Sequence, residues 1–415
     1  KSHNSQDYFS AVFCDTLDAM DIINELINWK NWDELNAAAI ALRRHLHMHP
    51  ELGYEEFETA KLIRTTLDKA GISWRSCTET GTIATLCADK QNAPHIAFRG
   101  DMDALPMAEK TDVAWRSNNA GKMHACGHDG HSATLLASLL WMHRHQDQLS
   151  QPVSFIFQPA EEGLHGADKM VKAGALENID AIYGWHNWPA IPFGKAVCPD
   201  GPVMSANGTF EITVQGYGGH SSQPELCRDP VLAAAAITMN LQQIVSRRLA
   251  PQTPAVLSLT SIDAKSGPTI IPQNAKLSGS IRVANTTDRD FVFEEIIKIA
   301  AATAQSYGVE VTTEVLPRLN ATINNDENAA IYRTVLHKEL GEEWQDKNLA
   351  VPIMASEDFS YFLQHCAGAF ALIGADDGTG EHQKPCHHQE YDFNDALIAV
   401  VVRIFCHISG AIPPK

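Results

Sequence analysis

Eight consecutive residues constrain this chain more than any other stretch. They are His124, Ala125, Cys126, Gly127, His128, Asp129, Gly130 and His131. The two glycines let the backbone turn tightly enough to aim several of these side chains at one point. Thiolate and imidazole are ligands of zinc and related first-row ions, whereas magnesium and calcium prefer oxygen. The stretch therefore predicts a metal site; the alternative is a polar loop in which Asp129 or Ser132 caps the following helix.

The remaining ligands must come from elsewhere in the chain, because the sequence contains no second, closely spaced cysteine pair of the zinc-finger kind. Three predicted strands are each followed by carboxylates or a histidine. The strands are His95–Arg99, Val153–Phe157 and Asp180–Gly184, and the residues after them are Asp101 and Asp103, Glu161 and Glu162, and His186. Open α/β sheets place their sites at the carboxyl ends of strands. With the stretch 124–131, these make four junctions between a strand and a loop, and the pattern predicts a parallel sheet with its chemistry on one edge.

Composition limits the classes of partner. The chain has 415 residues, 44% hydrophobic and 20% charged, and is long enough for two domains. Its formal net charge of −18 argues against nucleic acid or an anionic membrane surface as a partner. The nine cysteines are scattered without the spacing of a disulfide scaffold, which predicts a reducing, cytoplasmic location. Acidic residues interrupt the stretch from Phe9 to Leu26, so no signal peptide or membrane span is predicted.

Two features near the N-terminus are predicted to be structural. From Asp7 to about His47 the pattern is helical, with apolar residues every three or four positions, as a buried helix face requires. These apolar residues are Trp29, Trp32, Leu35, Ala39 and Leu42. The alternating histidines His45, His47 and His49 lie next to arginines, and this spacing is weak support for a metal site. A structural role is therefore favoured for them.

A change of pattern near Met204 predicts an inserted domain. The residues from Thr209 to Val214 alternate between apolar and polar, as in a strand with one buried face. Helix and strand patterns then complete the order β-α-β-β-α-β, which describes a small split βαβ sandwich. The predicted fold class is α/β: a mainly parallel sheet with helices on both faces, formed by residues 1–203 and 318–415, and an inserted α+β lid domain over 204–317.

The joint set of motifs resembles the M20 metallopeptidase family, and within it the amidohydrolase branch of hippurate hydrolases, N-acyl-amino-acid amidohydrolases and auxin-conjugate hydrolases. The resemblance covers nearly the whole chain after about Trp32. Besides 124–131, it rests on Gly100-Asp101-Met102-Asp103-Ala104-Leu105-Pro106, Pro159-Ala160-Glu161-Glu162-Gly163, Gly184-Trp185-His186, Gly218-Gly219-His220-Ser221-Ser222, Ser356-Glu357-Asp358-Phe359 and His387. Agreement of the whole set, rather than of one motif, makes the resemblance specific.

The resemblance implies two divalent metal ions per chain. Cys126 would be their shared ligand, where other M20 branches use a carboxylate. The ligands that complete the two shells would be His128, Glu162, His186 and His387, with His388 as the alternative to His387. The combined charge of two cations would keep a shared thiol deprotonated. Zinc, manganese, cobalt and nickel remain open, because availability decides occupancy as much as the ligand set does.

The resemblance also implies roles for residues that do not bind metal. Glu161 resembles the general base and Asp103 the acid that orients a ligand. His220, in the inserted domain, resembles the histidine that stabilises the transition state, supplied in dimeric relatives by the partner subunit; the lid domain thus allows a homodimer. Asn274 and Arg282 resemble residues that grip a substrate carboxylate.

The adjacent pair Glu161 and Glu162 invites a separate inference from backbone geometry. In an extended chain successive side chains point to opposite sides. The two carboxylates are therefore predicted not to bind the same ion, and to have different roles.

The implied activity is hydrolysis of the amide of an N-acyl-amino acid, such as hippurate, to a carboxylic acid and a free amino acid. The implied partner is that small-molecule substrate. One alternative is a metallo-dipeptidase or carboxypeptidase of the same family. The other is a metal-dependent binding protein. Glu161 distinguishes this alternative from an enzyme, because a structural zinc site is closed by four protein ligands and needs no catalytic carboxylate.

Overall fold

The computed structural model of the chain describes residues 18–90 and 92–415. Within this range the chain forms two compact units. The first comprises the residues up to Gly201 together with Ile323–Ala350 and Tyr361–Lys415, and the second comprises Pro202–Thr322 and Val351–Ser360. The second unit thus includes residues 202–203, 318–322 and 351–360, which the sequence pattern assigned to the first.

Helices make up much of the first unit. They span Ala19–Asn28, Trp32–Met48, Phe57–Ala70, His128–Arg144, Gly166–Lys172, Asp326–Leu340 and Ala396–Ser409, with short turns at Gln146–Gln148, Glu161–Leu164 and Ser360–Leu363. Across residues 18–90 and 92–415, none is long and apolar enough to cross a membrane.

The N-terminal helical segment is broken, where the sequence predicts a single helix from Asp7 to about His47. Two helices form because the side chain of Asn31 accepts a hydrogen bond from the amide of Glu34 at 3.0 Å and starts the second one. Residues 7–17 of the predicted helix lie outside the described residues. The predicted apolar stripe is buried, and Trp29 and Trp32 pack on Trp141 with ring centroids 5.5 and 5.6 Å apart.

The sheet of the first unit has seven strands. They are β1 (Trp74–Ser76), β2 (Thr82–Leu86), β3 (Ile96–Asp101), β4 (Val153–Gln158), β5 (Ala181–Pro192), β6 (Ala196–Val197) and β15 (Ala367–Asp376), in the order β1-β2-β4-β3-β5-β15-β6. Two further strands, β7 (Gly201–Met204) and β14 (Thr322–Asn324), pair with each other.

The centre of the seven-stranded sheet is parallel, as predicted. Strand β3 pairs in parallel with β4 and β5, and β5 pairs in parallel with β15. Every residue of β3 and β4 is buried, so both faces of these strands are covered, as expected for a parallel sheet. The outer pairs, β1 with β2, β2 with β4 and β15 with β6, are antiparallel.

Two of the predicted strand ends are wrong in detail. Strand β5 continues past Gly184 to Pro192, so His186 lies within the strand, opposite Leu372 of β15. The stretch 124–131 does not follow a strand; it leads into the helix that begins at His128. The two other predicted sites, after β3 and β4, do lie at carboxyl ends of strands.

The second unit has the predicted βαββαβ order. Its main strands are β8 (Ala206–Gln215), β10 (Ala255–Asp263), β12 (Asn274–Val283) and β13 (Glu310–Pro317); its helices are Pro230–Leu241 and Thr286–Tyr307, with short turns at Pro224–Leu226 and Ile244–Arg248. The sheet is antiparallel in the order β10-β12-β8-β13. Two short strands, β9 (Gly219–His220) and β11 (Ile270–Ile271), form a separate pair.

Candidate metal centre

The turn at Gly127 shapes the first unit's cluster of metal-ligand residues. Gly127 has a φ of 92°, a conformation that residues with a side chain rarely adopt. A Cβ atom there would lie 2.3 Å from Oδ1 of Asn187 and 2.7 Å from the hydroxyl of Tyr391. Glycine therefore lets the backbone turn between Cys126 and His128 while Asn187 and Tyr391 pack against it.

The capping alternative for this stretch is wrong. The residue before the helix is Gly127, and no side chain caps the helix. Ser132 donates to the carbonyl oxygen of Asp101 at 2.7 Å, and Asp129 bonds to His47. Both polar side chains tie the start of the helix to neighbouring elements.

The first group of ligand atoms comprises Cys126, His128 and His186, which are all buried and lie within 4.8 Å of one another. Sγ of Cys126 is 3.3 Å from Nε2 of His186. Nδ1 of His186 contacts the carbonyl oxygen of Asn187 at 2.7 Å, and Nδ1 of His128 contacts the carboxylate of Asp103 at 3.3 Å. Because these acceptors hold a proton on each Nδ1, the Nε2 lone pairs are left for a metal ion.

The second group comprises Cys126, Glu162 and His387, again within 4.8 Å of one another. Nε2 of His387 is 3.2 Å from Oε1 of Glu162. The amide of His387 donates to the carbonyl oxygen of Ala125 at 2.7 Å, which fastens the two segments together. The structure thus brings all five predicted ligands together, with Cys126 in both groups. Among the described residues, His388 belongs to no such group.

Glu161 and Glu162 do not point to opposite sides, so the inference from an extended chain is wrong. Residues 161–164 form a helical turn. An oxygen atom of each carboxylate and a nitrogen of His128 lie within 4.8 Å of one another. The carboxylate of Asp103 accepts hydrogen bonds from the amides of Glu161 and Glu162, both at 2.9 Å. Asp103 therefore contacts both the turn and His128.

A buried group of polar residues lies behind the predicted ligands and was not predicted from the sequence. Asp101 contacts Arg99 at 2.7 Å and Nδ1 of His131 at 2.6 Å, and Nε2 of His131 contacts Oδ1 of Asn187 at 2.7 Å. With His128, Asp101 and His131 form a third group of potential ligands. Asp101 and His131 both lie in motifs on which the family resemblance rests, and that was the sequence signal for them. Nothing in their spacing indicated that their side chains are in contact.

His47 contacts the helix that begins at His128, which agrees with the structural role predicted for His47. The side chain is buried, with Nδ1 2.8 Å from Asp129 and Nε2 3.3 Å from Glu109. Burial disfavours a charge on His47, but the bonds to Asp129 and Glu109 outweigh it and raise the pKa to about 9. Arg43 also binds this region, with Nε 2.6 Å from Asp395.

The donor set fits cations. A hydrogen bond that Cys126 donates to Cys386, burial and the charge of Glu162 raise the pKa of the Cys126 thiol well above its usual value, so its thiolate needs nearby positive charge. Burial lowers the pKa of His186 well below its usual range, which keeps the imidazole neutral. In the part of the chain that the structure describes, Nε2 of His128 is buried without a hydrogen-bond partner. Sulfur, imidazole and carboxylate donors around one shared thiol suit first-row divalent ions.

His220 lies in the second unit, on β9 opposite Ile270, and is exposed. Its Nδ1 accepts hydrogen bonds from the amide of Ser222 at 3.1 Å and contacts the Ser222 hydroxyl at 2.7 Å. In the neutral imidazole this places the proton on Nε2, so the ring presents a donor away from Ser222.

Asn274 and Arg282 are separated by most of β12. At about 3.3 Å per residue, the eight steps between them span roughly 26 Å. The two side chains of one chain therefore cannot hold the same substrate carboxylate, and the substrate-binding role of each stays a prediction. Nη1 of Arg282 donates to the carbonyl oxygen of Met354 at 2.9 Å and to the hydroxyl of Ser356 at 3.2 Å.

Comparisons with known proteins identify the family of the chain. The model of peptidase family M20/M25/M40 matches residues 97–409. The chain is 38% identical over 384 residues to the IAA-amino acid hydrolase ILR1-like 2 of Arabidopsis thaliana, covering 92% of this chain and 86% of the relative. It is 34% identical over 383 residues to a hippurate hydrolase of Campylobacter jejuni, covering 92% of this chain and 96% of that relative.

A solved structure gives the same result. The Bacillus subtilis YXEP protein, described as a dinuclear metal binding peptidase from the M20 family, matches this chain with a TM-score of 0.78 and 30% identity. The match covers 90% of this chain and 97% of the YXEP chain. The chain therefore belongs to peptidase family M20/M25/M40, and it is a hydrolase that acts on amide bonds.

Proposed function

We propose that this protein is a binuclear metal-dependent amidohydrolase that cleaves N-acyl-amino acids to a carboxylic acid and a free amino acid. The observation that carries the proposal is the presence of Cys126 in both groups of potential ligands. The names of the two relatives support the substrate class, because hippurate and IAA-amino acids are both N-acylated amino acids. Family membership makes the chain an enzyme, so the binding-protein alternative is not retained.

We assign the five ligands to two cations. Cys126, His128 and His186 would hold one, and Cys126, Glu162 and His387 would hold the other. When bound, a pair of divalent ions would supply Lewis acidity toward the amide carbonyl and lower the pKa of water. Asp103 keeps His128 and the turn of Glu161 and Glu162 in position, because its two oxygens bond to all three.

Glu161 acts as the general base and then as the general acid. It takes a proton from the attacking water and gives it to the leaving amine nitrogen, so the carboxylate is regenerated in each cycle. Glu162 differs from Glu161 in its contact with His387 and in sharing a group of potential ligands with Cys126. That difference supports the assignment of Glu162 as ligand and Glu161 as base.

His220 is expected to stabilise the oxyanion of the tetrahedral intermediate through Nε2. His220→Ala should keep full metal content and near-normal substrate binding, while turnover falls by about 10²–10³, the cost of one oxyanion donor. Metal analysis and steady-state kinetics check this, and wild-type turnover would remove His220 from the mechanism. Recovered activity on mixing with Glu161→Gln would show that His220 acts across a homodimer; no recovery despite proven subunit exchange would show that it acts within its own chain.

Arg282 is expected to bind the substrate carboxylate. Arg282→Ala should raise KM for substrates with a free carboxylate about ten- to a hundredfold, equivalent to roughly 1.5–3 kcal/mol, because a charge-assisted hydrogen bond is lost. The matching carboxamide substrates are the control and should change little. Equal losses on acids and amides would instead assign Arg282 to holding the segment of Met354 and Ser356.

A substrate panel tests the function as a whole. Apo protein is loaded separately with zinc, manganese, cobalt and nickel, and hydrolysis is measured on N-acyl-amino acids with aryl, alkyl and indole acyl groups. Dipeptides with a free ammonium group are included in the same assay. Faster hydrolysis of dipeptides than of every N-acyl-amino acid would favour the dipeptidase or carboxypeptidase alternative. Metal-loaded protein that hydrolyses neither class would contradict the proposed function.

A further inference from the structure

A second cysteine lies beside the shared ligand. The thiol of Cys386 donates to the carbonyl oxygen of Cys126 at 4.0 Å, so the two cysteine residues are in contact. The side-chain amide of Asn187 contacts the Cys386 sulfur at 3.9 Å and so helps to fix its position. Cys386 precedes His387 but has no role in the proposed reaction.

The backbone holds these two cysteines as neighbours. The amide of His387 donates to the carbonyl oxygen of Ala125 at 2.7 Å. Cys126 directly follows Ala125 in the chain, and Cys386 directly precedes His387. Opposite residues of an antiparallel strand pair have Cβ atoms about 4.5–5.5 Å apart, and we take the same scale for the two residues that flank this single bond. A disulfide joins Cβ atoms about 3.5–4.5 Å apart, so a small movement is enough to form one.

Access differs between the two thiols. Cys126 is buried, with 8% of its surface exposed, whereas Cys386 is partly exposed. A soluble oxidant therefore reaches Cys386 first. Both thiols are free in the structure, so the pair is described in its reduced state.

We propose that Cys126 and Cys386 form a reversible disulfide in the metal-free protein, and that this bond and the metal ions exclude each other. The exclusion rests on the proposed function, in which Cys126 is the shared ligand. A sulfur atom in a disulfide has no thiolate charge with which to bridge two cations. Conversely, bound cations engage the Cys126 thiolate and keep it from attacking another sulfur atom.

The oxidant is a small-molecule disulfide such as oxidised glutathione. The Cys386 thiolate attacks one of its sulfur atoms, which forms a mixed disulfide and releases one glutathione. The Cys126 thiolate then attacks the Cys386 sulfur and releases the second glutathione. Two protein thiols are oxidised, one glutathione disulfide is reduced, and the two protons from the cysteines end on the two released thiols.

The test compares metal-free and metal-loaded protein. Full-length chain is incubated with oxidised glutathione at about pH 8.5, near the usual pKa of a cysteine thiol. Peptide mapping by mass spectrometry without reductant should find a Cys126–Cys386 linked peptide in the metal-free sample and none in the metal-loaded sample. The oxidised chain should fail to take up zinc or manganese, and dithiothreitol should restore uptake.

Two single variants control the experiment. Cys386→Ser should form no linked peptide and keep its metal uptake after the same treatment. Cys366→Ser should behave as wild type, because Cys366 is also partly exposed and contacts a carbonyl oxygen, that of Ile179 at 3.5 Å. Free thiols at Cys126 and Cys386 after treatment of folded, metal-free protein would overturn the pairing. A linked peptide with undiminished metal uptake would overturn the exclusion together with the ligand assignment of Cys126, while the pairing would stand.

Discussion

Cys126→Ala is expected to lose both metal ions and essentially all turnover together. Cys126 is the one residue shared by the two groups of potential ligands, so its removal leaves each cation with two of its three assigned protein ligands. The thiolate is also the anion placed to neutralise charge between the two ions. Elemental analysis of the purified variant, alongside kinetics on the best substrate of the panel, measures both effects.

The variant should remain folded, because the core of the first unit does not depend on metal. Phe98 and Phe155 are completely buried on adjacent strands, and the sheet is continuous on both sides of them. Thermal unfolding followed by circular dichroism checks this. Cys198→Ala is a matched control, since Cys198 is also buried but bonds to Asn324 away from the cluster.

Cys126→Asp separates the need for a shared anion from the need for sulfur. A carboxylate can also bridge two divalent ions, and the resemblance implies that other branches of the family use one there. This variant is expected to regain metal that the alanine variant lacks. Two metal ions per chain in Cys126→Ala would show that the bridging assignment is wrong.

The ligand residues could be predicted from the sequence because their chemical types are rare in combination. His128 and Cys126 stand two residues apart around a glycine, and Glu162 follows an apolar strand that is buried in the structure. The parallel centre of the sheet followed from the same strands. The parallel sheet and a metal site at its strand ends needed only local pattern, whereas the individual ligands came from the resemblance to the M20 family.

What the sequence did not predict depends on backbone conformation. Glu161 and Glu162 face one centre because Ala160 and Gly163 adopt positive φ values of 56° and 76° around a helical turn. Alternation of side chains holds only for extended chain, so the inference failed there. The distance between Asn274 and Arg282 is another consequence of conformation, since both lie in an extended strand that keeps them apart.

The contacts behind the ligands were also hidden from the sequence. Asp101 and His131 lie thirty positions apart, and only the packing of the helix His128–Arg144 on β3 brings their side chains to 2.6 Å. Long-range contacts of this kind follow from how elements pack, which residue spacing does not specify. The Cys126–Cys386 contact, across 260 positions, is of the same kind.

Glu161→Gln is expected to keep both metal ions and lose turnover by about 10²–10⁴, the usual contribution of a general acid–base group. Glutamine has nearly the same shape and keeps the backbone amide that donates to Asp103 at 2.9 Å. Its side-chain amide cannot accept a proton from water at neutral pH, so the proton needed by the leaving amine is not delivered.

Glu162→Gln is the control, because it makes the same change one residue away. The backbone amide of Glu162 also donates to Asp103. The Glu162 carboxylate, however, contacts His387 and lies in the group of potential ligands that contains Cys126. We therefore expect Glu162→Gln to lose metal content as well as turnover, and added metal to recover part of its activity. Added metal should not rescue Glu161→Gln, because its ions are already in place.

Metal content and single-turnover rates of the two variants together decide the roles. If Glu161→Gln loses metal while Glu162→Gln keeps it, Glu161 is the ligand and Glu162 the general base. The structure allows this reversal, because both carboxylates form a group of potential ligands with His128. A Glu161→Gln enzyme with full metal content and wild-type single-turnover rate would leave the proton transfer without a carboxylate at this position. The general base would then have to be sought elsewhere.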